Sequence, residues 1–104
     1  MATFSASASI TAQNTFTSAL DVQGYFSLSV DGIAGGSIVT VQRSFDAGST
    51  WKDVETYTAD IETYGFEPEP VQYRVGVKSG EFGSGTTSVR LGREGRNRFE
   101  TFPS

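Results

Sequence analysis

Short runs that alternate between apolar and polar residues constrain this chain more than any other feature. At the start of one run, Val39 and Val41 alternate with Thr40 and Gln42, the period-two pattern of a strand that buries one face. Comparable runs stand at 3–11, 15–22, 25–30, 71–77 and 87–91. No amphipathic helical pattern accompanies them. We therefore predict an all-β fold, a small antiparallel β-sandwich of jelly-roll or immunoglobulin-like type with about seven to eight strands. A partly closed barrel is the alternative.

Turn residues predict how these strands are connected. Asp and Gly pairs between the runs, such as Asp31-Gly32, favour hairpin turns, so a largely meandering topology is expected. Residues 59–70 lack the alternation and contain Pro68 and Pro70. Because proline cannot donate to a strand ladder, we expect this segment to be an irregular crossover between sheets.

Length and composition limit what such a domain can do. The 104 residues suffice for one domain, predicted as a β-sandwich over 1–92 followed by a C-terminal tail over 93–104. The chain contains no cysteine and no histidine, which removes disulfides, thiolate metal sites and the usual general base at neutral pH. We therefore predict a protein that is not an enzyme and that binds no cofactor and no metal ion. No apolar run approaches the ~20 residues that span a bilayer, so no membrane association is expected.

The segment from Ser44 to Trp51 matches a known turn motif. It matches the S-x-D-x-G-x-T-W pattern of the Asp box, and its matching residues are Ser44, Asp46, Gly48, Thr50 and Trp51. The motif is similar to hairpins of sialidases and other β-propellers, where it shapes the fold away from the catalytic site. The resemblance implies a structural hairpin in which Asp46 satisfies turn amides and Trp51 anchors the hairpin to the sheet. A propeller needs about four blades or more, which this chain cannot supply.

Acidic and basic residues are segregated along the chain. Between positions 46 and 69 there are seven acids and one base: Asp46, Asp53, Glu55, Asp60, Glu62, Glu67 and Glu69, with Lys52. A divalent-cation site or a carboxylate pair for glycoside hydrolysis would use such acids, but their spacing favours a solvated face. Residues 70–98 hold six bases and two acids: Arg74, Lys78, Arg90, Arg93, Arg96 and Arg98, with Glu81 and Glu94.

This segregation favours pairing between copies of the chain. The basic tail could contact nucleic acid, but a net charge of −4 argues against that as the main activity. Acidic and basic surfaces can instead neutralise each other between copies, and pairing within one chain remains open. The residues predicted to contact a partner are Arg93, Arg96 and Arg98 with the apolar anchors Phe99 and Phe102.

Aromatic residues outside the regular runs raise one further possibility. Tyr57, Tyr64, Phe66 and Phe82 stand in or beside predicted loops, where aromatic platforms commonly stack on sugars. The same residues could build a core that has few leucines. Carbohydrate binding is therefore a possible second activity.

Several stretches resemble small virion proteins of tailed bacteriophages. The similarity lies in 39–54, 57–59, 67–70, 73–80 and 84–86, and its marks are the S-F-D-x-G-x-T-W hairpin and the Y-R-x-G-x-K-x-G strand. It implies a non-enzymatic β-module that is made in the host cytoplasm and used in many copies in the virion. We expect a capsid decoration (cement) protein that forms a homo-oligomer, with a trimer favoured, and that contacts the major capsid protein. A neck, tail or fibre component, or a carbohydrate-binding module for adhesion to the host surface, is the alternative.

Overall fold

The structure is a computed structural model that describes residues 4–94. This part of the chain is all-β and contains no helix, so no helix in it could cross a membrane. Its seven strands, all paired antiparallel, are β1 (Ser5–Ile10), β2 (Thr15–Phe16), β3 (Leu20–Asp31), β4 (Val39–Ser44), β5 (Lys52–Tyr57), β6 (Ile61–Val77) and β7 (Thr87–Arg93). The all-β, sandwich-like prediction is therefore confirmed.

The strands form one sheet in which β3 and β6 are shared by two halves. The strand order is β1-β7-β3-β6-β4-β5, with β2 beside β6. Residues 24–30 of β3 pair with 61–67 of β6, and residues 20–22 pair with 71–73. The register shifts between Val22 and Gly24. We call the part with β1 and β7 the first half, and the part with β2, β4 and β5 the second half.

One core joins the two halves. The inward side chains of both halves belong to a single buried cluster: Ile10, Leu20, Val22, Leu28, Val30, Val39, Val41, Val71, Tyr73, Val75, Val77, Val89 and Leu91. Across the bend in the sheet, the rings of Phe26 and Tyr73 lie 4.5 Å apart between centroids. Burial of this apolar surface is the main favourable term for folding, and it requires the shared strands to turn from one half to the other.

The segment around the two prolines is regular, which corrects the sequence-based expectation of an irregular crossover. Residues 61–70 do not form a loop, because β6 runs without a break from Ile61 to Val77. The ladder with β3 skips residues 68–70, and β4 pairs with β6 only at residues 72–76. Pro68 and Pro70 therefore stand where the strand has no ladder to complete. The two halves are therefore joined here by a continuous strand.

The predicted meander is wrong. Among residues 4–94, consecutive strands pair only in the β4–β5 hairpin, whereas β3 pairs with β6 and β7. Asp31-Gly32 therefore begins a loop and closes no hairpin. The predicted strand over 15–22 is also divided, because β2 ends at Phe16 and β3 begins at Leu20. Between them, the backbone N–H of Thr17 donates to the carbonyl of Val75 in β6 at 2.9 Å. The last strand extends one residue past the predicted domain boundary, to Arg93.

Candidate functional site

Side chains of the Asp-box-like segment hold the turn between β4 and β5. Ser44 Oγ donates to Asp46 Oδ1 at 2.7 Å and accepts the backbone N–H of Gly48 at 2.8 Å. Asp46 Oδ1 also accepts the backbone N–H of Thr50 at 2.8 Å. The φ angles of Ala47 and Gly48 are 59° and 92°, positive at both central residues as in tight hairpin turns. Hydrogen bonds, above all that from Ser44, keep the pKa of Asp46 below its ordinary value.

Trp51 attaches this hairpin to the outer face of the second half. Its ring is half-buried and lies 4.4 Å from the guanidinium carbon of Arg74. The ring of Phe16 in β2 lies at the same distance, 4.4 Å, from that carbon, so the guanidinium contacts two aromatic rings. Burial lowers the pKa of Arg74. Trp51 therefore binds to the sheet through a cation–π contact and not by entering the core.

A polar ladder continues from Arg74 across the same face. Arg74 Nε donates to Gln42 Oε1 at 2.8 Å, and Gln42 Nε2 donates to Asp53 Oδ1 at 2.8 Å. Lys78 Nζ completes the ladder at 2.6 Å from Asp53 Oδ2. The hydrogen bond with Lys78 is the largest cause that lowers the pKa of Asp53, and it raises the pKa of Lys78. Here an acid and a base that could have paired between copies pair within one chain.

A second internal ion pair lies at the bend between the two halves. Arg43 Nη1 contacts Glu67 Oε2 at 2.9 Å, and the Tyr73 hydroxyl donates to the same carboxylate oxygen. Glu67 is only 6% exposed, so it is not part of a solvated acidic face. The hydrogen bond to Glu67 raises the pKa of Arg43, and burial raises the pKa of Tyr73. Side chains alternate along β6, so Glu67 points inward where Phe66 points outward. Because Pro68 and Pro70 favour a loop, this alternation was not expected at Glu67 from the sequence.

The acidic segment does not converge on one site. Asp46 shapes the turn, Asp53 lies in the polar ladder, and Asp60 accepts the backbone N–H of Ile33 at 2.9 Å. Within residues 4–94, no group of three or more acidic, histidine or cysteine side chains is placed to hold a metal ion.

Of the residues predicted to contact a partner, only Arg93 falls in the described part of the chain. Arg93 belongs to β7 and donates its backbone N–H to the carbonyl of Phe4 at 2.9 Å. Its guanidinium carbon lies 4.7 Å from the centre of the Phe4 ring. The predictions for Arg96, Arg98, Phe99 and Phe102 lie outside the described residues. At least the start of the predicted tail is therefore integrated in the sheet.

The four aromatic residues considered for sugar binding separate into two groups. Tyr57 and Phe82 pack against the core, whereas Tyr64 and Phe66 are 75% and 56% exposed. Tyr25 of β3, 55% exposed, joins the exposed pair. Its ring centroid is 4.9 Å from that of Phe66 and 6.3 Å from that of Tyr64. We call Tyr25, Tyr64 and Phe66 the aromatic patch.

Tyr25 was not among the aromatic residues considered from the sequence, although the sequence indicates its orientation. Phe26, Leu28 and Val30 alternate toward the core, so Tyr25 must point outward. What the alternation could not show is that β3 and β6 are neighbours. Their register places Tyr25 opposite Phe66 and Ser27 opposite Tyr64, and this pairing brings the three rings together.

A groove of about 410 Å³ lies beside the aromatic patch; it opens on the outer face of the first half and also reaches Phe4, Phe26 and Arg93, which alternation places on the inner side. It is lined by Phe4, Tyr25, Phe26, Ser27, Tyr64, Arg90, Gly92 and Arg93. Gly92 has no side chain to fill the groove, and the Arg90 side chain lies over it. A Cβ at position 92 would be 2.8 Å from Arg90 Nη1. A second groove of about 610 Å³ continues along the same face and is lined by serines of β1, β3 and β7, by Asp31 and again by Arg90.

The two grooves offer aromatic, hydroxyl and cationic groups on one open surface. The outer positions of β1 and β7 carry mainly small residues. The sheet surface is therefore accessible there, next to the larger side chains of β3 and β6. Surfaces of this kind bind polar ligands that also present an apolar face. No known protein family, no curated protein and no solved structure matches this chain.

Proposed function

We propose that this chain is a non-enzymatic structural protein of a bacteriophage virion, acting as a capsid decoration (cement) protein. In this role it stabilises the shell through contacts with its own copies, as a homo-oligomer with a trimer favoured, and with the major capsid protein. The resemblance of its sequence to small virion proteins motivates the proposal, and the free edges of its sheet support it.

The supporting observation is that this small domain presents three lengths of strand edge without a partner among residues 4–94. β1 pairs only with β7, β5 pairs only with β4, and residues 61–67 of β6 pair only with β3. Each free edge is a row of backbone N–H and C=O groups that can accept a strand from another chain. A protein built to make contacts with several neighbours benefits from such edges, whereas a monomer must protect them.

The C-terminal segment is the proposed arm of this assembly. Residues 95–104 contain Arg96, Arg98, Phe99 and Phe102 and follow directly on Glu94, whose backbone N–H bonds the Tyr25 carbonyl at 3.2 Å. In the proposed assembly, the two phenylalanines fill apolar pockets of a neighbour, and the arginines meet acidic groups there.

Native mass measurement and particle binding test this proposal. We expect the full chain to form oligomers, to be present in many copies in purified virions, and to bind shells from which it has been removed. The double substitution Phe99→Ser with Phe102→Ser should weaken oligomers and shell binding, whereas the matched substitution Thr101→Ser should not. A chain that stays monomeric, is absent from purified particles and ignores the shell would refute the role.

Carbohydrate binding is a second candidate function, because the aromatic patch is exposed on a face away from the β5 edge. A decoration protein attached by its β1 and β5 edges and its arm would leave this face open to the surroundings. Tyr64 and Phe66 belong to the free edge of residues 61–67, so the two functions are compatible when assembly uses the β1 and β5 edges and the arm. A neck, tail or fibre location would leave both arguments unchanged.

A further inference from the structure

We infer that the groove beside the aromatic patch binds a carboxylated saccharide, with a sugar ring stacked on Tyr64 and its carboxylate paired with Arg90. The inference rests on the second candidate function above and names its ligand class. It does not depend on the decoration role.

The charge of the groove selects for an anion. The chain as a whole has a net charge of −4, yet no carboxylate belongs to the described residues that line the 410 Å³ groove. Of its two arginines, Arg93 already contacts the Phe4 ring and the Glu94 carbonyl, which leaves Arg90 as the cation for a ligand. Arg90 is exposed, and its side chain has no hydrogen bond or ion pair within residues 4–94, in contrast to the side chains of Arg43, Arg74 and Lys78, which all have partners on other strands. A guanidinium of this kind matches a carboxylate in shape and charge.

The remaining surface of the groove selects for a saccharide. Tyr64 and Tyr25 offer ring surface, on which the C–H face of a sugar can stack while its hydroxyl groups stay in contact with water. The hydroxyl group of Ser27 lies in the same lining, and further serines follow in the adjoining groove. Hydroxyl side chains both donate and accept hydrogen bonds, as the hydroxyl groups of a sugar require.

The size of the two grooves admits an oligosaccharide. A volume of about 410 Å³ falls within the usual range of about 300–1,000 Å³ for ligand sites. Arg90 lines both grooves, so a chain of sugars that lies along β7 could place a carboxylate at Arg90 from either side. Asp31 lines only the second groove, which favours a neutral residue at that end.

Titration of the full chain with matched pairs of saccharides tests this inference. The charged probes are sialyllactose and trigalacturonate, and the neutral probes are lactose and the methyl ester of trigalacturonate. We expect at least one charged probe to bind about ten-fold more tightly than its neutral partner, as measured by calorimetry or by saturation-transfer NMR. The sialyl and galacturonate pairs distinguish two sources of the same carboxylate chemistry.

Three substitutions assign this binding to the groove. Arg90→Gln should remove the preference for the charged probe, and Arg90→Lys should keep part of it. Tyr64→Ala should weaken the binding of both the charged probe and its neutral partner. Phe45→Ala is the matched control, because Phe45 is also exposed, at 59%, but lies on the hairpin outside the groove. Far-UV circular dichroism verifies the fold of each variant.

Three results would overturn the inference. The first is that none of the four probes binds at millimolar concentration. The second is binding that Arg90→Gln and Tyr64→Ala leave unchanged. The third is an oligomer that Tyr64→Ala dissociates, which would assign this face to a second copy or to its C-terminal arm. All three are read on the isolated protein, so they are independent of whether the chain decorates a shell.

Discussion

The guanidinium of Arg43 in β4 lies 2.9 Å from the carboxylate of Glu67 in β6, at the point where β6 passes from one half of the sheet to the other. Tyr73 donates to the same carboxylate, and Glu67 is buried. Burial of a charge is costly unless the charge is paired and hydrogen-bonded. This contact therefore lets an acidic residue occupy the inner face of a strand.

Removal of the cation at this bend should destabilise the fold. We expect Arg43→Ala to lower the free energy of unfolding by about 2–3 kcal/mol, because Glu67 would keep its burial without a counter-charge. The value is below that for a fully buried pair, since 31% of the Arg43 side chain is exposed. Urea denaturation followed by circular dichroism measures the loss. Lys78→Ala breaks the more exposed pair with Asp53 and should cost less; equal losses would contradict this ranking.

Trp51 and Arg74 should be energetically coupled. We expect Trp51→Ala to cost about 1–2 kcal/mol, because the ring is half-buried and its main partner is a guanidinium. A double-mutant cycle with Arg74→Gln should yield a coupling energy of about 1 kcal/mol. Unfolding is followed by circular dichroism, since Trp51 is the only tryptophan and its fluorescence is lost in the variant. Additive single effects would show that the stacked geometry contributes no stability.

Acid should destabilise the hairpin and its ladder. The pKa values of Asp46 and Asp53 are held below 3.8 in the folded state, so the unfolded chain binds protons first as pH falls. Their contribution to stability is thus complete above the unfolded pKa and is lost as pH drops through the folded one. We expect urea midpoints to fall as the pH drops below about 4, and Asp53→Asn to flatten this slope. If Asp53→Asn leaves the pH dependence of the urea midpoint unchanged, that dependence arises from other carboxylates.

The ion pair between Asp53 and Lys78 also predicts a loss of stability at high pH. The hydrogen bond with Asp53 raises the pKa of Lys78 above 10.5, so its contribution is complete below the unfolded pKa. It is lost as pH rises through the folded pKa. Lys78→Met should reduce the loss of stability in this window.

A side chain at position 76 should disrupt the contact between β2 and β6. A Cβ on Gly76 would overlap the Thr15 carbonyl oxygen and lie 2.6 Å from the Phe16 Cα. Because backbone atoms cannot move aside cheaply, Gly76→Ala should cost about 2 kcal/mol or more in urea denaturation. Gly65→Ala is the control, since the added atom meets mainly the end of the Phe26 ring, at 2.7 Å. A Gly76→Ala variant as stable as the original would mean that β2 is not held against β6.

The alternation of side chains predicted much of the local structure. It placed Val39 and Val41 on the inner face of β4, and the turn residues placed the β4–β5 hairpin, because both depend on interactions between residues close in the chain. It failed at residues 59–70. There the prolines indicated a loop, but β6 continues because its neighbours leave those positions unpaired.

Local patterning is enough to predict most of the strands, their inward-facing residues and the turn between β4 and β5. Which strands are neighbours follows from the tertiary fold, since strand order depends on pairings between distant residues that local periodicity does not encode. Those pairings, and not the motif around Trp51, bring Tyr25 to Tyr64 and place Arg90 in the groove beside them. They also bury Glu67 with Arg43, because the bend of β6 carries one acid of a polar segment into the core.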